Sequence, residues 1–459
     1  MDAATATTAT STIRTIHTFS PSSTTRKILA LPTIRNQTRS FYTANRSFPS
    51  QQLKSRSFTR CSTKPGIDSN NATNTNKSLG LESRSPAQQL TTSPPNQTPT
   101  STWSTGLVFD LCQKKSWDSS EIGSPVVKRF IGDNEERWYM WYHGRSSDQN
   151  NSSNSIGLAV SSNGIHWTRG AEHVMSCGED EGLVMSCSKS WWAFDTKSMK
   201  PSEMVIMSSP MYSAVYWLYY TGYSSEKVDC ANYPVGQYPV DSFKSLPGLA
   251  CSQDGRNWAR IEGDCHSGAL LDVGSKNEWD SLFIAKPQVV VHGNDDMRMY
   301  YHSFDAENGH FAIGMARSRD GIRWVKLGKI IGGGAKGSFD ELGVKNACVV
   351  RNRKEGNYLM AYEGLRADGK ISIGLAVSPD GLNEWTRVQD GPVLSPSEDD
   401  AWDNEGVGSP SLVQMEGNVD LWRLYYVGIG GQERRTGIGM AISEGSDVRT
   451  FRRWAGFQS

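Results

Sequence analysis

The feature that most constrains this chain is a fivefold internal repeat running from about residue 101 to the C-terminus. Each copy reads aromatic-Asp, a short gap, a Pro-containing apolar run, an aromatic-rich run ending in Gly, Ile-Gly-x-Ala-x-Ser, then Asp/Asn-Gly and Trp. The first copy holds Trp117-Asp118, Ser124-Pro125, Trp138 to Gly144, Ile156 to Ser161, Asn163-Gly164 and Trp167. The second is the loosest, with Phe194-Asp195, Lys200-Pro201, Trp217 to Gly222, Gly248 to Ser252, Asp254-Gly255 and Trp258. The third runs from Trp279-Asp280 through Lys286-Pro287 to Trp324, and the fourth from Phe339-Asp340 through Asn346-Ala347 to Trp385. The fifth runs from Trp402-Asp403 through Ser409-Pro410 to Ile438-Gly439 and a degraded turn before Phe451. Trp117 to Pro125, Trp279 to Pro287, Phe339 to Ala347 and Trp402 to Pro410 are all eight residues apart, a register that chance does not produce.

Every copy contains about four short runs of strand-forming residues bounded by turn chemistry, with no 3.6-residue periodicity. Asn-Gly and Asp-Gly are tight hairpin turns, because Gly accepts the positive φ these turns need. Four antiparallel strands per copy make a blade, so the expected fold is an all-β five-bladed propeller over 101–459. The Gly of Ile-Gly-x-Ala is expected to let neighbouring blades pack closely, and the hairpin Trp to cover a seam between blades. The aromatic-Asp residues occur in every copy, which favours a structural job, capping a turn through backbone N–H groups.

Residues 1–64 differ in kind. They carry ten Lys/Arg and one acid, Asp2, are rich in Ser and Thr and have no continuous apolar core, the composition of an organelle transit peptide rather than a secretory signal. The hydroxyl content and Arg60-Cys61-Ser62 favour the chloroplast stroma, with the mitochondrion as alternative. Residues 65–100, rich in Asn, Thr, Ser, Gln and Pro, read as a disordered spacer. Removing 1–64 leaves 48 − 10 = 38 basic and 48 − 1 = 47 acidic residues, a net of −9 with no basic stripe, which argues against nucleic acid as partner. No run approaches the length of a membrane helix. The eight cysteines form no C-x-x-C pair and no zinc framework. Cys177 and Cys187 are a conceivable redox pair, against the blander reading of idle thiols. The Asn-x-Ser/Thr sequons sit mostly in the tail and carry little weight without a secretory signal.

The repeats resemble those of the five-bladed propeller glycoside hydrolases, the arabinanase, levansucrase and invertase superfamily that includes glycoside hydrolase families 43 and 32. The likeness covers essentially residues 103–459. The Ser-x-Asp-Gly-x-x-Trp turns are similar to the Asp box of sialidases but one residue shorter, and five copies disfavour that six-bladed fold. The resemblance implies three channel carboxylates: a base or nucleophile on blade one, an orienting Asp on blade two and an acid on blade three. The corresponding positions are Ser124, Ser202 and Ala285-Lys286, so the family triad is not matched.

In a propeller the loops entering each first strand and leaving each second strand gather at one end of the channel. Polar residues found there in only one or two copies are the functional candidates. Glu363 is the candidate acid, with Arg366 expected to hold it ionised, and Asp118 or Glu121 the candidate base, since glycoside cleavage needs one group to protonate the leaving oxygen and another to activate water or attack. His143, Arg145, Lys286, His302, Lys345, Arg366 and Glu405 are candidate substrate-binding residues, and Asp305 shares their location. No cofactor is implied. A channel calcium is conceivable, though no spacing demands it. Three functions follow: a monomeric carbohydrate-active propeller that binds or cleaves a sugar or glycoside, an inactive propeller that binds sugar or a plastid protein, and a phosphate-dependent phosphorylase similar to glycoside hydrolase family 130. The last is suggested by Lys286, Lys345, Arg145 and Arg366.

Overall fold

The computed structural model describes residues 105–456 apart from short internal stretches, of which 171–180 and 229–242 are the longest. The transit segment 1–64, the spacer 65–100 and Cys61, Cys177 and Cys230 lie outside the described residues. Cys112, Cys187, Cys251, Cys265 and Cys348 are free thiols.

After β1 (Leu107–Phe109), blade one contains β2 (Glu121–Ile131), β3 (Glu136–Arg145), β4 (Ser155–Ser161) and β5 (Thr168–Arg169). Following β6 (Leu183–Met185), blade two contains β7 (Ser198–Ser209), β8 (Tyr212–Lys227), β9 (Phe243–Ser252) and β10 (Ala259–Ile261). Blade three is β11 (Ala285–Gly293), β12 (Asp296–Asp305), β13 (His310–Ser318) and β14 (Val325–Ile331). Blade four is β15 (Val344–Arg351), β16 (Tyr358–Leu365), β17 (Ile371–Ser378) and β18 (Thr386–Arg387). Blade five is β19 (Gly406–Gln414), β20 (Trp422–Gly430), β21 (Arg435–Ser443) and β22 (Phe451–Arg453).

Within each blade consecutive strands pair antiparallel. The first strands β2, β7, β11, β15 and β19 each lie against the first strand of the next blade, and β19 meets β2, so the blades form a closed ring around an axis. β1 fastens the ring by pairing with β21 of the last blade. The Trp402 indole N–H donates to the Thr105 carbonyl at 2.9 Å across the same junction.

Two repeated devices explain the sequence pattern. First, the repeat Asp of every blade is buried and accepts a hydrogen bond from the Tyr of its own second strand: Asp118 from Tyr142, Asp195 from Tyr220, Asp280 from Tyr301, Asp340 from Tyr362 and Asp403 from Tyr426. It also pairs with a cation on or beside the outer strand: Arg169, Arg260, Lys326, Arg387 or Arg453. The structural job is as expected, but the bonds these Asp residues accept come from side chains instead of the expected turn amides. The pair ties the inner strands of a blade to its outer edge.

Second, each Asp/Asn-Gly hairpin is held by its own Ser, as where Ser161 Oγ accepts the Gly164 N–H at 2.9 Å and Asn163 Oδ1 the Ile165 N–H at 2.9 Å. The turn Gly carbonyl then accepts a bond from the neighbouring blade: Trp141 to Gly255, Tyr219 to Gly321, Tyr300 to Gly381 and Tyr425 to Gly164. The hairpin residues Trp167, Trp258, Trp324 and Trp385 stand edge-on to these same rings, so they do cover the seams. At the fourth seam the slot holds Ala361, opposite the one copy with a degraded turn.

The Gly of Ile-Gly-x-Ala serves a different contact from the one expected. A Cβ on Gly157 would stand 2.3 Å from the Trp117 ring, and one on Gly314 2.2 Å from Trp279. In blades one to four the glycine makes room for the aromatic-Asp ring of its own blade, not for the next blade.

Candidate functional site

The second-strand residue that follows each Asp-bound Tyr points to the axis. These five are His143, Thr221, His302, Glu363 and Val427, and all line one cavity of about 410 Å³ at the end of the channel where the first strands begin. The first strands bulge opposite the Tyr residues. At each bulge a non-glycine residue takes positive φ: Ser124 (48°), Lys286 (54°), Asn346 (53°) and Ser409 (47°). A left-handed conformation costs a side-chain-bearing residue of the order of 1 kcal/mol or more, and such residues persist where the surroundings over-determine them. All four line the cavity.

Blade two departs from this pattern. Its register sets Lys200 opposite Thr221 and Pro201 opposite Tyr220, so Pro201, whose ring fixes φ near −65°, occupies the bulge position. The position expected at Ser202 is therefore one residue too late, and Lys200 is the residue of β7 that lines the cavity.

A chain of hydrogen bonds links the blades at this level. The bulge N–H of one blade donates to the axial side chain of the preceding one: Lys286 to Thr221 Oγ1 at 2.8 Å, Asn346 to His302 Nδ1 at 3.3 Å and Ser409 to Glu363 Oε2 at 3.0 Å. The chain breaks at Pro201, which has no N–H, and the buried His143 Nδ1 on blade one is left without a partner. Because His302 Nδ1 accepts a bond, its proton sits on Nε2 when the ring is neutral.

Two carboxylates are held in this cavity. Glu363 accepts from Lys345 Nζ at 2.8 Å, Asn346 Nδ2 at 2.7 Å and the Ser409 amide. Burial pushes its pKa up, but the Lys345 charge and these hydrogen bonds outweigh burial and hold it below the ordinary value. Glu121 meets Arg145 at 2.5 Å, His143 Nε2 at 3.1 Å and Lys200 at 3.9 Å. Burial opposes its ionisation too, yet the His143 hydrogen bond and the Lys200 and Arg145 charges keep it well below its usual range. Burial, aided by Lys200, pushes His143 down to about 4, and burial with Lys345 pushes His302 down to about 3, so both rings are neutral at pH 7. Lys286 falls to about 8, chiefly through burial.

These positions sort the sequence candidates. Glu121, His143, Lys286, His302, Lys345 and Glu363 share the cavity. Asp118 does not: it is locked between Ser116, Tyr142 and Arg169, which removes it as a base. Glu363 is held as a carboxylate by Lys345, Asn346 and the Ser409 amide, which does not suit the acid role expected of it. Lys345 is the cation beside it, whereas Arg366 is half exposed and pairs with Asp368. Glu405 faces Arg434 on the surface, and Asp305 pairs with Lys329, both outside the cavity lining. Arg145 touches the site only through Glu121. Lys200, Thr221, Asn346 and Ser409, and the rings of Tyr223, Phe243, Phe283 and Phe311, were not among the candidates. Lys200 had a signal, since it precedes a Pro as Lys286 does. Among the described residues no three His, Cys, Asp or Glu side chains group as metal ligands.

No family model matches the chain. A Mycobacterium tuberculosis protein, uncharacterized protein MT1551, is 25% identical over 351 residues, 74% of this chain and 98% of its own length. A solved structure described as a glycoside hydrolase superposes with a TM-score of 0.52 at 18% identity, covering 77% of this chain and 96% of that one. A second, a complex of BT0996 with RGII, gives 0.51 at 17% identity over 77% and 96%. The five-bladed propeller of this chain is thus a fold it shares with glycoside hydrolases.

Proposed function

We propose that this chain is a carbohydrate-active propeller whose axial cavity binds a sugar or glycoside. The observation that carries this is the set of polar side chains converging from all five blades on one sugar-sized space, backed by phenyl and phenol rings. Rings such as Phe243, Phe283 and Phe311 suit the apolar faces of a pyranose, while Ser124, Thr221, Asn346 and Ser409 suit its hydroxyls. In cleavage Glu121 and Glu363 are the carboxylates at hand, both starting ionised, so each enters as a proton acceptor or nucleophile and neither as the initial acid. The cations around them favour phosphate-dependent cleavage as second reading, phosphate supplying the nucleophile in place of water.

The test is to offer the full-length chain a panel of aryl furanosides, aryl pyranosides and natural oligosaccharides, with and without inorganic phosphate, following product and thermal stabilisation. Binding with turnover supports an enzyme, and stabilisation without turnover a sugar-binding propeller. Neither response with any sugar sinks the proposal and favours a platform for plastid proteins. We further propose a plastid stromal location on the composition of residues 1–64; a fluorescent protein fused behind these residues that stays outside plastids refutes it.

A further inference from the structure

Among the described residues, the buried Asp and Glu side chains and Arg298 all sit in ion pairs. Lys286 is the exception. Only 6% of it is exposed, and its ammonium has a single contact, the Pro201 carbonyl at 3.5 Å. An ammonium taken out of water is costly unless a counter-charge or several acceptors replace its hydration. One long bond to a carbonyl does neither.

The carboxylates nearby are already committed. Glu203 is taken by Lys128 and Gln288, Glu363 is saturated by Lys345, Asn346 and the Ser409 amide, and Glu121 is shared by Arg145 and His143. Lys200, on the adjacent blade, reaches Glu121 only at 3.9 Å and raises the cost of the Lys286 charge. Three lysines therefore line a cavity with two carboxylates, and the surplus positive charge lies at Lys200 and Lys286 on blades two and three. A negative group seated between them relieves both. The cavity is also too large and too aromatic for a bare inorganic anion alone.

We propose that the blade-two and blade-three side of the cavity is an oxyanion subsite, so that the ligand is a sugar bearing a carboxylate or phosphate group held by Lys286 and Lys200. The shared chemistry is an oxyanion on a sugar ring, met by two ammonium groups, with neighbouring hydroxyls left to the serines, Thr221 and Asn346. This rests on the carbohydrate assignment above and narrows it from sugars in general to anionic ones.

The test is calorimetric titration of the full-length chain with matched pairs: galactose and galacturonate, glucose and glucuronate, glucose and glucose 6-phosphate, with inorganic phosphate as a separate probe. The expected result is that at least one oxyanion-bearing sugar binds tenfold or more tightly than its neutral partner, and that Lys286→Met reduces the difference to twofold or less. The uronate and phosphate arms tell the two sources apart. Should Lys286→Met fail to fold, Lys286→Arg and wild-type titrations at rising NaCl replace it. The anionic preference then persists in Lys286→Arg and shrinks with salt. Neutral sugars binding as well as charged ones overturns the inference and leaves the carbohydrate assignment intact. Inorganic phosphate binding as tightly as the sugar phosphate, or a tenfold preference surviving in Lys286→Met, also overturns it. No binding of any sugar overturns both.

Discussion

If Lys286 is an uncompensated buried charge, removing it stabilises the protein in the absence of added sugar, the reverse of what most core substitutions do. Lys286→Met keeps most of the aliphatic stem and deletes the ammonium. A pKa of about 8 in the fold against an ordinary 10.5, at about 1.36 kcal/mol per pKa unit, corresponds to a cost of roughly 3 kcal/mol at pH 7. Losing the long bond to Pro201 offsets roughly 0.5–1 kcal/mol of that, leaving Lys286→Met more stable by roughly 2 kcal/mol. The pH dependence follows from which state holds the proton. Below about 8 both folded and unfolded chains carry it and the cost is complete. Between about 8 and 10.5 the folded protein releases it first, so wild-type stability rises with pH. Above 10.5 neither carries it and the cost is gone. The groups facing Lys286 are Glu203, Glu363, Lys200 and Cys348. Burial raises the Cys348 thiol above its ordinary value and Lys286 acts on it in the opposite direction, so the two titrations depend on each other and the comparison is repeated in a Cys348→Ala background. Urea unfolding of both full-length proteins in steps from pH 6.5 to 10.5 reads that difference directly. A variant less stable than wild type at pH 7, or an advantage that stays flat across the range, refutes the reasoning.

Other outcomes follow from the same structure. Asp118→Ala leaves Arg169 and Tyr142 without their buried partner and should cost roughly 3 kcal/mol, measurable by urea unfolding; a cost under about 1 kcal/mol contradicts the strut role given to the repeat Asp. Gly314→Ala forces a methyl into the Trp279 ring and should lose roughly 1–3 kcal/mol in the same assay, whereas a neutral effect removes the packing explanation for Ile-Gly-x-Ala. Glu363 is held below its ordinary 4.5, so its contribution is complete above 4.5 and is lost as pH falls through the folded pKa. Glu363→Gln should thus be less stable than wild type at pH 7, with the gap closing on acidification, and any glycoside turnover should be lost; turnover unchanged in this variant removes Glu363 from the mechanism.

The fold was legible because each repeat element is a local demand. A Ser-x-Asp/Asn-Gly hairpin needs its Gly and its Ser wherever it occurs, so its four copies, with a fifth aromatic-Asp unit after them, announce five blades. The partners of those elements were less legible, since they lie far apart in the chain: Asp118 meets Arg169 fifty-one residues on, and the aromatic ring over Gly157 belongs to the same blade, which sequence spacing does not reveal. For the site, candidates chosen by proximity to the Pro and to the aromatic strand included those on the axial slot, His143, His302 and Glu363. The choice failed where a loop carries the side chain outward, at Arg366 and Glu405. The blade-two position expected at Ser202 is held by Pro201, because the Pro stands first in this bulge and second in those of blades one, three and five, a difference visible only once Lys200 is seen opposite Thr221. The commitment of Glu363 to Lys345 instead of Arg366 depends on the antiparallel register that sets residues 345 and 363 side by side.

The most direct test of the central claim is a crystal structure of the full-length chain with the tightest sugar from the titrations. The expected result is a sugar in the axial cavity, its ring against the phenylalanines, its hydroxyls within hydrogen-bond distance of Glu121 or Glu363 and its charged group beside Lys286. A sugar bound on the outer rim, with only solvent on the axis, contradicts the account.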